Sequence, residues 1–195
     1  MAKSKKLPEV LTEDEIAALL DQFNPRYAGP RRNRLMIKLA LETGLWIAEL
    51  TSLRFEDCRL NGGVYRIHVK DGKGGKDRVV WMTADLGAAI GEMATREGRE
   101  HVGLMFTTRE GGEIDHGYLR RMIKQRGTTA GIPRLHFLLL RHTSLTRLYS
   151  RTKDLRLVQT AAGHASPTTT AIYAHVSEED LRDAMIETAE ALPGK

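Results

Sequence analysis

Cysteine is almost missing from this sequence: Cys58 is the single one in 195 residues. One thiol excludes an internal disulfide and a multi-cysteine zinc site. Long hydrophobic runs are missing too. The apolar stretch 137–140 falls far short of the roughly 20 residues that a helical membrane span needs. The opening Met1-Ala-Lys-Ser-Lys-Lys is basic but leads into no apolar segment, so it reads as a solvated tail rather than a secretory leader. There is no internal repeat and no low-complexity tract. These absences make a cytoplasmic protein with no membrane partner the expectation. What is present is ordinary for a globular chain: 41% hydrophobic and 28% charged residues, too apolar for disorder and long enough for one cored domain.

Charge carries the first functional hint. Lysine and arginine number 30 against 25 acidic residues, a net +5 that says little by itself. Its distribution says more. Between residues 119 and 156 lie ten basic side chains, among them Arg120, Arg121, Lys124, Arg141 and Arg147, opposed only by Asp154. After Ser177 the sign reverses, with six acidic residues against Arg182 and Lys195. A basic centre of this kind suits a polyphosphate partner, nucleic acid being the commonest; solvated helix faces would give the same count.

Periodicity and punctuation predict mostly helix. Thr12-Glu-Asp-Glu15 is a capping box opening a helix to about residue 22. A Pro- and Gly-bearing loop at 24–32 precedes helices at about 32–42 and 47–53, with Gly44 as the stop between them. Two β-rich runs, 64–69 and 78–82, flank Lys70-Asp-Gly-Lys-Gly-Gly-Lys-Asp77 and read as a hairpin. Helices follow at about 83–97, 115–130, 138–150 and 154–162. Ser166-Pro167 starts another that carries Tyr173, and 178–192 forms the last. The fold class is therefore mainly α with a small antiparallel sheet, α+β.

Several residues could do chemistry. The glycines around Lys73 let backbone approach a ligand, though the spacing is not that of a Walker loop and a soluble hairpin tip has the same composition. Arg141 could grip a phosphate with two parallel hydrogen bonds, or form a surface ion pair. More specific is Gly163-His164, with Tyr173 nine residues after the histidine. A phenol is a poor nucleophile until a neighbour takes or shares its proton. His136, His142, His164 and His175 match no standard zinc spacing, so no metal is expected.

Arg141, then Gly163-His164, then Tyr173 resembles the C-terminal signature of the tyrosine recombinases, the phage integrase family. Upstream, Thr43-Gly44-Leu45 with Glu49-Leu50 is similar to that family's Thr-Gly-Leu-Arg-x-x-Glu-Leu box, and Gly72-Lys73-Gly74-Gly75-Lys76-Asp77-Arg78 is similar to its catalytic-lysine turn. The resemblance runs from about Leu11 to Leu192. It implies phosphoryl transfer on double-stranded DNA without a metal, nucleotide or other cofactor. Tyr173 would attack a backbone phosphate and form a 3′-phosphotyrosine. Lys73 would protonate the leaving 5′-oxygen. Arg141 and His164 would hold the non-bridging oxygens as charge builds. Lys76, Arg78, Arg120, Arg121, Lys124 and Arg147 are the expected DNA contacts.

Two positions depart from the family pattern. Trp46 stands where the first box has arginine, and Leu138 where histidine precedes the second arginine by three residues; His136 is two residues too early. Both changes put a large apolar group where a phosphate cradle is expected, turning it into a greasier pocket. Losing one charged transition-state contact typically lowers rate about 10²–10³-fold, and losing a general acid or base about 10²–10⁴-fold. A cleavage-impaired recombinase is the first expectation, a non-enzymatic DNA-binding relative the second, and a type IB topoisomerase-like enzyme a weaker third. On this reading residues 1–10 are a basic tail and 11–195 the catalytic domain, with the usual N-terminal core-binding domain absent. The apolar stripe Leu181, Ala184, Met185, Thr188, Ala189, Leu192 implies self-association into a tetramer on DNA, or packing on its own domain.

Overall fold

A computed structural model describes residues 9–72, 76–99, 102–173 and 185–186. The N-terminal tail, the tip carrying Lys73, and nearly all of the expected last helix lie outside the described residues.

Helix α1 (Glu13–Asp21) begins as its sequence demands: Thr12 Oγ1 accepts from Glu15 N at 3.2 Å, and Glu15 Oε2 accepts from Thr12 N at 3.0 Å. Helix α2 (Ala28–Thr43) starts four residues before the expected position. Pro30 causes no break there, because the first turn of a helix has no use for that N–H. Gly44, at φ +66°, ends α2 in the left-handed region and sends the chain into α3 (Ile47–Thr51).

The sheet has three antiparallel strands rather than two, in the order β1 (Cys58–Asn61), β2 (Val64–Gly72), β3 (Lys76–Trp81). Strand β1 escapes sequence reading because Cys-Arg-Leu-Asn barely alternates. Asn61 pairs with Val64 across Gly62 and Gly63, both at positive φ, the geometry of a tight two-residue hairpin. Ile67, Val69 and Val80 point into the core.

Helices α4 (Ala84–Arg96) and α5 (His116–Thr129) are capped by Thr83 and Asp115. Helix α6 (Phe137–Thr152) is capped by His136, whose Nδ1 accepts from Leu139 N at 3.2 Å. Helix α7 (Leu155–Ala162) ends at Gly163 with φ +66°, and α8 (Pro167–Thr170) passes into a 3-10 turn, Ala171–Tyr173. The main core gathers Leu39, Leu50, Ile67, Leu86, Ile123 and Leu140 among others. Beside it, Leu145, Val158, Ala162 and Tyr173 form a second, smaller cluster under α6 and α7. α6 packs against both α2 and α7, and so brings the end of α2, the end of α7 and the Tyr173 turn together.

Candidate active site

Arg141 lies inside α6 and is 1% exposed. A buried guanidinium must have its N–H groups answered. Two backbone carbonyls do this. Nη1 donates to Gly44 O in a very short contact, and Nη2 donates to Ala162 O at 2.7 Å. Each acceptor sits at a helix end, where carbonyls lack an intrahelical partner. Arg141 Nη2 also lies 3.2 Å from His164 Nε2, and the Trp46 ring covers the guanidinium face, 4.1 Å from its central carbon to the ring centroid. Burial lowers the Arg141 pKa to about 10, still leaving it cationic at neutral pH; Tyr173 opposes the shift and Arg78 adds to it.

His164 follows the left-handed Gly163 directly. Its Nδ1 lies 3.0 Å from Thr170 Oγ1. Because Nε2 meets a guanidinium, which only donates, the ring proton belongs on Nδ1 and points to Thr170. The His164 ring stacks on Tyr173, with centroids 6.4 Å apart and planes within 9°. Tyr173 is 4% exposed, and its Oη lies 3.0 Å from His142 Nδ1. Burial raises the phenol above its ordinary pKa, with the Arg141 charge acting against that. Burial, then the charges of Arg141 and His136, hold the His142 pKa below the usual imidazole value.

A buried ion pair braces this cluster. Glu49, in the first turn of α3, accepts from Trp46 N at 2.8 Å and meets Arg78 with both oxygens, at 2.6 and 2.7 Å. Arg78 Nε donates to Ala161 O at 3.0 Å. The Arg78 and Glu49 side chains are 5% and 10% exposed. Arg78 thus ties the first box to β3 and to the last turn of α7. Arg78 was expected at the DNA surface; it is turned inward because Glu49 and a helix-end carbonyl satisfy it there.

The other expected residues divide clearly. Arg141, His164 and Tyr173 meet, and Trp46 lies on Arg141. Leu138 sits in the first turn of α6 and is 40% exposed, so it does not join Trp46 in lining a closed greasy pocket. Arg120, Arg121 and Lys124 are exposed on α5. Arg147 is exposed and paired with Glu13 at 2.6 Å. Lys76 occupies β3 opposite Gly72, with its side chain outside the description, and Lys73 lies outside the described residues. Two contributors went unassigned in the sequence, His142 and Glu49. For His142 the sequence offered only its place directly after Arg141; its contact with Tyr173 is made by the fold.

A cavity of about 770 Å³ elsewhere, bordered by Arg32, Arg99, Arg109 and Tyr118, contains none of these groups. Arg32 and Arg99 donate to the carbonyls of Thr107, Leu104 and Met105, so they brace loops there. Among the described residues, no three His, Cys, Asp or Glu side chains gather as a metal site would require, and no helix is long and apolar enough to cross a membrane.

Residues 9–180 match the phage integrase family. The chain is 32% identical over 187 residues to tyrosine recombinase XerH of Campylobacter jejuni, covering 93% of this chain and 52% of that protein. It is 34% identical over 188 residues to tyrosine recombinase XerD of Staphylococcus aureus, covering 91% of this chain and 61% of that protein. The chain therefore spans only between half and two thirds of the length of these relatives. The solved XerH site-specific recombinase bound to difH substrate, a pre-cleavage complex, superposes with a TM-score of 0.79 at 33% identity over 93% of this chain and 55% of that one. The catalytic domain of bacteriophage HP1 integrase shares the fold, with a TM-score of 0.68 at 20% identity over 97% of this chain and all of that one. A mainly helical domain with a three-stranded sheet and a converging Arg–His–Tyr cluster is the architecture of a tyrosine recombinase catalytic domain. The chain belongs to the phage integrase family.

Proposed function

We propose that this chain is the DNA-cleaving and rejoining unit of a site-specific recombinase, with residues 11–195 as its catalytic domain, working through a 3′-phosphotyrosine at Tyr173 and impaired in cleavage as written. The observation that carries the reading is the convergence of Arg141, His164 and Tyr173 from α6, the end of α7 and the turn after α8. In this mechanism the Tyr173 oxygen attacks a DNA phosphate, Arg141 and His164 stabilise the charge on its non-bridging oxygens, and Lys73 protonates the departing 5′-oxygen. The phosphotyrosine stores the broken bond, so no metal, nucleotide or other cofactor is required. The XerH structure is bound to its difH substrate, and the exposed Arg120, Arg121 and Lys124 of α5 supply a basic face suited to a duplex here. Arg147 joins that face on releasing Glu13, Lys76 serves it from β3, and the segment 178–192 mediates self-association into a tetramer on DNA.

Impairment follows from how the site engages the Arg141 guanidinium. Trp46 adds no second cation, and Arg141 spends two donors on Gly44 O and Ala162 O beneath an indole. The same observation favours a second reading, a relative that binds DNA without cutting it.

The test is covalent capture. The protein is mixed with nicked duplexes randomised across the binding site, and DNA surviving denaturation on the protein is recovered. A Tyr173-linked adduct lost in Tyr173→Phe supports the enzyme. Trp46→Arg with Leu138→His should raise its yield at least about 10²-fold. DNA retention in a mobility shift, with no adduct from either the original or the doubly reverted chain, establishes the non-cleaving reading instead.

A further inference from the structure

We propose that His142 is the general base that receives the Tyr173 proton during cleavage. The proposal rests on the reading of Tyr173 as nucleophile and adds the one partner that reading leaves unnamed: where the phenolic hydrogen goes.

Geometry selects the residue. His142 Nδ1 lies 3.0 Å from Tyr173 Oη, within direct proton-transfer distance, with the two rings tilted at 51° and 5.8 Å apart. The other imidazoles nearby have different duties. His164 faces Tyr173 with its ring plane while its nitrogens meet Thr170 and Arg141. His136 uses Nδ1 to cap α6. Position 138, where the resemblance expects histidine, holds leucine. The charged and titratable groups around the His142 ring are Arg141 and His136 from its own helix and Tyr173, with His164 beyond it, from the opposing turn. Half-burial, then the neighbouring Arg141 charge and His136, hold the His142 pKa below the ordinary imidazole value, so Nδ1 presents a lone pair and the phenol donates to it.

The step balances. The Tyr173 Oη–H bond breaks and its proton passes to His142 Nδ1. An Oη–P bond forms, the P–O5′ bond breaks, and the 5′-oxygen takes a proton from Lys73. A weakened base removes little proton from a resting phenol. As the Oη–P bond forms the phenol becomes strongly acidic, so transfer occurs late in the step. The imidazolium then returns its proton readily when Tyr173 becomes the leaving group, which suits a reversible strand exchange.

The experiment uses DNA ending in a 3′-(p-nitrophenyl) phosphate, whose leaving group needs no acid, and follows single-turnover p-nitrophenol release against pH. The unmodified chain should show an acid limb below the ordinary imidazole range. His142→Ala should lower the rate about 10²-fold or more and abolish that limb. His142→Asn puts an amide oxygen near the Nδ1 position, so it should keep Tyr173 oriented yet fail to restore the rate. Nitrogen-15 NMR should show His142 Nδ1 unprotonated, with its shift moving in Tyr173→Phe. An Asn variant at full rate, an Ala variant retaining rate and acid limb, or a His142 signal indifferent to Tyr173→Phe each overturns the proposal. Release persisting in Tyr173→Phe overturns the nucleophile reading itself, a distinct result.

Discussion

Replacing Arg78 with methionine should damage this protein more than any change among its surface arginines. The side chain is 5% exposed and makes three hydrogen bonds, two to Glu49 and one to Ala161 O. Methionine fills much of the same volume but supplies none of them. Glu49, itself 10% exposed, then keeps its charge with the Trp46 N–H as its remaining donor among the described residues. Removing one member of a buried pair costs about 3–5 kcal/mol, because the partner is left charged and poorly solvated. Domains of this size are stable by only about 5–15 kcal/mol, so the variant should lose a fifth or more of its margin. Urea unfolding followed by tryptophan fluorescence measures this, since Trp46 lies on the same cluster. Adding Glu49→Gln should recover at least half the loss: the amide still accepts from Trp46 N while the stranded charge is gone. If Arg78→Met costs less than about 1 kcal/mol, the pair behaves as an exposed salt bridge and the bracing role is wrong. Additive losses in the double variant would refute it equally.

Gly163→Ala should lower stability by about 1–2 kcal/mol, since φ is +66° and a Cβ would sit 3.1 Å from Arg78 Cδ; thermal unfolding reads this. Cys58 should resist alkylation at pH 8 until denaturant is added, because burial, then Asp57 and Glu56, push its thiol up to about 12; a timed thiol-labelling assay checks it. The folded His142 pKa lies below its unfolded value, so the unfolded chain binds more protons in acid. Its contribution to stability is present above the ordinary imidazole pKa of about 6.5 and is lost as pH falls through the folded value. A series of urea midpoints from pH 7.5 down to about 5 should therefore decline, and His142→Asn should flatten the decline.

Much of this was legible in the residues. Caps at Thr12, Thr83, Asp115, Asp154 and Ser166 and stops at Gly44 and Gly163 mark the helix ends, because each supplies a local answer to unpaired backbone groups. The ordered boxes named Arg141, His164 and Tyr173 together. Less legible was anything decided by long-range geometry. Cys-Arg-Leu-Asn becomes β1 through pairing with β2 rather than through its own pattern. Arg78 looked like a DNA contact because nothing in Lys-Asp-Arg reveals that Glu49 lies opposite; the direction of a strand side chain depends on register. The hydroxyl of Tyr173 meets His142 across 31 positions of sequence, beyond the reach of periodicity.

Trp46 is the clearest case of a residue whose meaning changes with its surroundings. Read as a letter in a motif, it is a lost cation. In the folded chain its indole covers the face of Arg141, a contact worth about 1–2 kcal/mol when partly desolvated. A second arginine at position 46 would instead join Arg141 and Arg78 around the single carboxylate of Glu49, leaving cations without a matching anion until a phosphate arrives. The indole removes that conflict in the DNA-free protein. On the proposed reading, the same contact stabilises the cluster and covers the guanidinium that a scissile phosphate would need. Stability and cleavage are therefore opposed at this one position on that reading of the site, because the indole that packs on Arg141 occupies the guanidinium face.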